Sequence, residues 1–294
     1  MPDACLFVLT MMVDRETAAL RPRLVAHARA ALGAGEPVVL SPGEAVDLPL
    51  PAMPAREAVA AALGGEAVDA IAQPAAGRRK LLLLADMDST IVTTETLDEL
   101  AAHAGLREEI AAITRRSMNG ELDFREALRA RVAMLKGLEV AALEATWAHT
   151  EYTPGARELI ATMRAHGART ALVSGGFTFF TGRVAAALGF DEHRANELLQ
   201  AGGRLTGAVA EPILDRDAKL VAMRELAAGL GIGLDAVAAV GDGANDLAML
   251  RAAGLGVAFR AKPVVAAEAR AQLRHAGLRG VLFAQGYRDS EISG

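Results

Sequence analysis

The stretch from Lys80 to Glu95, KLLLLADMDSTIVTTE, constrains this chain more than any other. Its wholly apolar run from Leu81 to Ala85 stops at two carboxylates, Asp86 and Asp88. That pattern suits a strand buried on both faces whose end reaches a polar site. In open parallel sheets, ligand sites lie just beyond the carboxyl ends of the strands, where the chain can present polar groups. Side chains two apart on extended chain face the same way, so both carboxylates could reach one metal or one substrate. Like charges that close favour one ionised and one protonated acid. Taken alone, the stretch also reads as a surface turn, because Asp, Ser and Thr are ordinary turn residues. The rest of the chain decides between these.

A chain of 294 residues has room for two domains. A formal charge of −5 leaves no basic footprint for nucleic acid and no affinity for an anionic membrane surface, which points to a small soluble partner. The single cysteine, Cys5, excludes an internal disulfide and a cysteine metal cluster, so a reducing, cytoplasmic compartment is the simplest inference. Apolar residues from Cys5 to Val13 are too few to span a membrane and follow Asp3 rather than Lys or Arg, so neither a signal peptide nor an anchor is read there.

Along residues 1–76 the pattern predicts a strand over 5–13, a helix over 15–32 ending at Gly33, strands over 37–40 and 45–48, a helix over 54–63 and a strand over 67–72. This βαββαβ order is ferredoxin-like. Residues 73–79 read as a linker, dividing a small α+β unit (1–76) from a larger one (77–294). After the Asp86 stretch, residues 96–147 show only helical patterns, punctuated by Gly105, Gly120 and Gly137. They are too long for a crossover and predict a helical cap over about 96–150, able to close on a ligand. Strands and helices then alternate: helix 154–166, strand 169–173, a turn at 174–176, a helix, strand 208–214, helix 217–228, strand 236–240, a turn and helix over 242–252, and strand 255–259. The class is α/β, a doubly wound parallel sheet with right-handed crossovers.

Three further features follow predicted strands or open helices. Ser174, with Gly175 and Gly176, offers a hydroxyl and backbone N–H groups where a phosphate would fit. Lys219 puts a fixed cation in the first turn of its helix. The run from Gly241 to Asp246 brings Asp242, Asn245 and Asp246 to another strand end, with Asp242 a hard oxygen ligand.

Asp86-x-Asp88-x-Thr90, Ser174-Gly175-Gly176, Lys219 and Gly241-Asp242-Gly243-x-Asn245-Asp246 resemble, in that order, the four motifs of the haloacid dehalogenase superfamily of phosphatases, over about residues 80–283. Glu95, Met118-Asn119-Gly120, Asp123-Phe124, Leu128 to Val132, Phe177 and Ala261-Lys262-Pro263 are similar to the phosphoserine phosphatases. The resemblance implies hydrolysis of O-phospho-L-serine to L-serine and phosphate, the last step of serine biosynthesis, on a Rossmannoid core with an inserted cap. It implies that Glu95 and Arg131 hold the ammonium and carboxylate of the substrate while Met118 and Phe124 close the pocket. Such charges suit a zwitterion.

Charge then orders the remaining roles. A carboxylate attacking a phosphomonoester dianion is repelled unless cations screen the phosphoryl oxygens. Acid residues therefore come with a cation; in keeping with the resemblance, Asp86 is expected as the nucleophile, forming an aspartyl-phosphate, and Asp88 as the acid that protonates the departing oxygen. Mg²⁺ is expected on Asp86, Asp242 and the backbone carbonyl of Asp88, with Asp246 behind it. Ser174, Gly175, Asn245 and Lys219 are expected on the phosphate.

Other readings stay open. Glu95, Arg131 and Lys219 could each be solvated charges. Gly229-x-Gly231-x-Gly233 reads as a helix end, Asp215 and Asp217 as caps of the Lys219 helix, and the scattered histidines as carrying no role. Hydrolysis of a different small phosphorylated alcohol or amino acid, transfer to another alcohol such as homoserine, and an idle amino acid sensor are the rival functions. The N-terminal order resembles an amino acid-binding ACT domain, but Val13 to Thr17 lack the glycine such domains place after the first strand. Effector binding, or pairing into a homodimer, is left open.

Overall fold

The computed structural model describes residues 6–294, with the side chains of Met118 and Arg216 outside that description; the expectation for Cys5 also lies outside it. The N-terminal strands are β1 (Phe7–Met12), β2 (Val38–Ser41), β3 (Ala45–Leu50) and β4 (Asp69–Pro74), with helices α1 (Pro22–Leu32) and α2 (Arg56–Leu63) between them. They form an antiparallel sheet in the order β2-β3-β1-β4, so the βαββαβ order holds. α1 starts later than its pattern suggests, because Pro22 has no N–H to bond back and serves as a first-turn residue. The expected linker is shorter too: Gln73 and Pro74 belong to β4.

Alternation splits this sheet into two faces. Leu9, Met11 and Val13 pack with Val25, Ala28 and Ala62 of the helices, while Met12, Leu40, Ala45 and Ile71 join the main core. Polar seams fasten the second face. The Asp69 carboxylate accepts from the N–H groups of Arg274, His275 and Ala276 at 2.8–2.9 Å. The buried Glu44 carboxylate takes Arg279 at 2.8 and 2.9 Å.

The larger sheet is wholly parallel, in the order β12-β11-β10-β5-β6-β7. Its strands are β5 (Leu82–Ala85), β6 (Arg169–Phe177), β7 (Glu192–Asn196), β10 (Val237–Gly241), β11 (Leu255–Phe259) and β12 (Ala271–Leu273). Along β5, Leu83 and Ala85 face one apolar layer and Leu82 and Leu84 the other, which explains the unbroken apolar run. From β5 the chain goes to one side for β6 and β7 and returns to the other for β10 to β12. The carboxyl end of β5 is thus the switch point where a ligand crevice opens.

Four helices follow β5: α3 (Thr96–Ala102), α4 (Arg107–Met118), α5 (Phe124–Met134) and α6 (Ala141–Ala148). The chain leaves and re-enters the core side by side, through a bridge of Val92 with Tyr152 and bonds from Thr93 N to Glu151 O and Thr153 N to Ile91 O. Helices α7 (Ala156–Ala165), α8 (Thr178–Leu188), α9 (Arg216–Gly229), α10 (Leu247–Ala252), α11 (Pro263–Glu268) and α12 (Arg279–Ala284) flank the sheet. Asp215 caps α9 by accepting from Asp217 N and Ala218 N, and the glycine series ends that helix. Among the described residues, no helix is long and apolar enough to cross a membrane.

Three expectations are corrected. The segment 174–176 is not a turn: β6 continues extended to Phe177, with a register shift against β7 after Val173. The strand expected over 208–214 lies earlier, as β9 (Arg204–Val209), paired in a hairpin with an unforeseen β8 (Leu198–Ala201). The sheet also runs one strand past 255–259, to β12.

Candidate active site

Asp86 leaves β5 with its N–H still bonded to Val240 O, so its side chain emerges between β5 and β10. Beyond it Val92 N bonds back to Met87 O, closing a wide turn in which Ser89 holds a positive φ of 53°. That turn carries Asp88 inward, where its carboxylate accepts from Thr96 N at 2.9 Å. Gly176 admits this carboxylate: a Cβ there would stand 2.7 Å from Asp88 Oδ2. On β10's end Asp242 is fully buried. Asp246 turns back to accept from Asp242 N and Gly243 N at 3.1 and 3.0 Å.

Lys219, fully buried, joins these elements: its Nζ lies 2.7 Å from Asp86 Oδ1 and 2.6 Å from Asp246 Oδ1. Ser174 lies beside them, its Oγ accepting from Gly176 N at 2.9 Å. Asn196 fixes the neighbouring backbone, donating to Gly175 O and accepting from Leu214 N. Asp86, Asp88, Ser174, Gly175 and Asn245 all line one cavity, and Glu95, Phe124 and Arg131 line it from the helical side. The walls leave about 50 Å³ for water centres, a space on the scale of a few water molecules. The side chain of Met118 lies outside the described residues.

Burial sets the charge state of this site. It pushes Asp88 up to about 7, with Asp86 and Asp242 adding repulsion and the Thr96 N–H opposing. It pushes Glu95 up to about 8, Asp88 adding to the rise and the Ser89 hydroxyl, 2.6 Å away, opposing it. Asp246 rises to about 6 and Asp242 well above the usual carboxylate range, again chiefly through burial. Burial alone would lower Lys219, but Asp246 and Asp86 outweigh it and hold the ammonium above the ordinary lysine value. Arg131 is lowered by burial, with Asp98, Glu95 and Asp88 opposing.

Such crowding fits a divalent cation. Asp86, Asp242 and Asp246 each bring a carboxylate oxygen within 4.8 Å of the others. Asp86 Oδ1 and Asp242 Oδ2 are buried without a hydrogen bond, their cationic neighbours being Lys219 at 2.7 Å and Lys262 at 3.3 Å. Asp246 is already spent on Lys219 and two N–H groups, whereas Asp86 and Asp242 keep oxygens for an ion. These residues could therefore hold a divalent metal.

Some contributors had no role in the sequence reading. Thr114 and Ser117 of α4, Leu97 of α3 and Leu128 of α5 line the cavity, and Lys262 reaches Asp242. Leu128 and Lys262 stood within the motifs that carry the family resemblance, without a role of their own. Nothing in the spacing singled out Thr114.

A buried lysine bridging acid-bearing loops at adjoining strand ends, under a lid of helices, defines a class of hydrolase. Residues 83–251 match the family model of the haloacid dehalogenase-like hydrolases, and the chain belongs to that family. Within it, the chain is similar to phosphoserine phosphatases. The Streptomyces coelicolor phosphoserine phosphatase is 44% identical over 242 residues, covering 81% of this chain and 59% of its own length. The chain thus spans about three fifths of that relative's length. A solved phospho-aspartyl intermediate analogue of phosphoserine phosphatase is 40% identical, covers 70% of this chain and 98% of its own, and superposes with a TM-score of 0.67. The unliganded probable phosphoserine phosphatase from Vibrio cholerae is 32% identical, covers 97% of this chain and 87% of its own, with a TM-score of 0.78.

Proposed function

We propose that the chain is a Mg²⁺-dependent phosphomonoester hydrolase that converts O-phospho-L-serine to L-serine and phosphate, closing serine biosynthesis in the cytoplasm. One observation carries this: a single small cavity is floored by Asp86, Asp88, Ser174 and Asn245 and walled by both Glu95 and Arg131. Phosphate needs such a floor, and a zwitterionic amino acid needs one acid and one guanidinium above it. The names of the relatives support the same substrate.

In this reading an Asp86 oxygen attacks phosphorus, forming a new P–O bond as the ester P–O bond breaks. Asp88 gives its proton to the departing serine oxygen; burial keeps that proton in place up to about pH 7. Asp88 then takes a proton from water as the water oxygen displaces Asp86 from phosphorus. Lys219 holds Asp86 in line from 2.7 Å and faces the phosphoryl oxygens, while Ser174, Gly175 and Asn245 hydrogen-bond them. Mg²⁺, held by Asp86, Asp242 and the Asp88 carbonyl, would supply further positive charge against the phosphate.

Residues 1–76 form the accessory unit of this scheme and 77–294 the phosphatase, with the cap over about 96–150. A second copy of the chain would pair on β2, an edge strand whose Val38 and Val39 are 39% and 55% exposed. Phosphate release from a panel of phosphomonoesters is the direct test. Phosphoserine is expected to be hydrolysed best, with release lost in EDTA and regained with Mg²⁺; equal rates on all esters would remove the substrate assignment.

Cap closure gives a second expected result. A Cβ on Gly175 would lie 2.6 Å from the Phe124 ring, so Gly175→Ala must push that wall outward. KM for phosphoserine is expected to rise roughly tenfold, and adding Phe124→Leu to recover part of it. An unchanged KM would show that the ring is not part of the closed wall.

A further inference from the structure

Arg131 is nearly buried on α5, yet its fork is only partly used. Nε donates to Ala127 O at 3.2 Å and Nη1 to Thr114 Oγ1 at 2.9 Å. Among the described residues Nη2 has no hydrogen-bond partner, and Arg131 makes no direct ion pair. Thr114, on α4, is 3% exposed and lines the same cavity. Its Oγ1 lies 2.7 Å from Asp98 Oδ1 and 3.0 Å from Ile110 O. Asp98 belongs to α3 and stands outside the cavity wall.

A guanidinium only donates, so Thr114 must accept from Arg131. Its one hydrogen is then free to donate, and the nearer, charged Asp98 is the stronger acceptor. Three helices are thereby joined by one directional chain, Arg131 to Thr114 to Asp98. The hydroxyl also acts as a spacer. A carboxylate touching Arg131 directly would occupy the fork that a ligand carboxylate needs, whereas one set behind a neutral hydroxyl balances the charge and leaves the fork open.

We infer that Thr114 and Asp98 are positioning residues for substrate selection, holding the Arg131 guanidinium at the angle that receives the carboxylate of the amino acid moiety. This rests on the reading that the substrate carries such a carboxylate. The relay touches no reacting atom, so its effect falls on binding of substrates with an amino acid head and not on the phosphoryl step.

The experiment compares phosphoserine with p-nitrophenyl phosphate, which has no carboxylate, in the full chain. Thr114→Val, nearly isosteric, removes both bonds. KM for phosphoserine is expected to rise about tenfold or more with kcat little changed, while kcat/KM for the generic ester stays within about twofold. Thr114→Ser keeps the hydroxyl and is expected to restore selectivity. Asp98→Ala, which leaves Thr114 in place, is expected to shift the same ratio in the same direction. Arg131→Ala separates the two levels of inference. If it weakens both esters equally, the carboxylate reading itself is wrong. If it is selective but Thr114→Val, or Asp98→Ala where the valine variant fails to fold, leaves the ratio at wild type or lowers both esters alike, the relay is overturned.

Discussion

Asp86→Asn is expected to abolish phosphate release, lowering kcat by roughly 10⁴-fold or more, while leaving the protein folded and at least as heat-stable as the parent. The amide keeps the shape of the side chain but has no anionic oxygen to attack phosphorus. Lys219 loses one of its partners and retains the other, Asp246 at 2.6 Å. The remaining carboxylates of the cluster, which lie within 4.8 Å of one another in the parent, also repel less. Stability and activity should therefore separate, as they do not when a core residue is lost. Acid-quenched reactions with labelled substrate would show phosphate on the parent chain and none on the variant. Phosphate release within tenfold of the parent would take the nucleophile's place away from Asp86.

How much of this was legible beforehand depended on whether a signal was local. The unbroken run before Asp86 reads as a strand covered on both faces because β5 sits mid-sheet between β10 and β6. The order βαββαβ and the α/β class were readable from periodicity and from glycines such as Gly33, which ends α1 with a φ of 61°. Ser174 to Gly176 misled, because glycines usually mark turns. Here they keep β6 extended while clearing space for the Asp88 carboxylate and the Phe124 ring. The hairpin of β8 and β9 was missed for the opposite reason. Gly202 and Gly203, both at positive φ, do form a turn there, the two-residue loop between the paired Ala201 and Arg204, and were passed over. Asp98 and Thr114 mark the limit of local reading: each is an ordinary polar helix residue until α3, α4 and α5 are packed together.

Freed of divalent cations, the protein is expected to lose heat stability as pH rises from about 5 to 8, by at least about 5 °C, and to regain it when Mg²⁺ is added. The sign follows from the carboxyls. Asp88 is raised by burial to about 7 and Glu95 to about 8, so both keep protons in the folded state that the unfolded chain releases above its ordinary carboxylate values. Between those limits the native state binds more protons than the unfolded one, and stability falls with rising pH by up to about 1.4 kcal/mol per unit for each such group. Below the ordinary values both states are protonated and this penalty vanishes. A cation at Asp86 and Asp242 favours ionised carboxylates and opposes the trend. Lys219→Met should steepen it, since it removes the buried positive charge that Asp86 and Asp246 share, and should also cost roughly 10³-fold in kcat. Thermal melts of parent and variant at pH 5, 6.5 and 8, each with EDTA and with Mg²⁺, supply the comparison. A chelated parent that melts at the same temperature across this range would show that these acids do not carry their protons into the folded state.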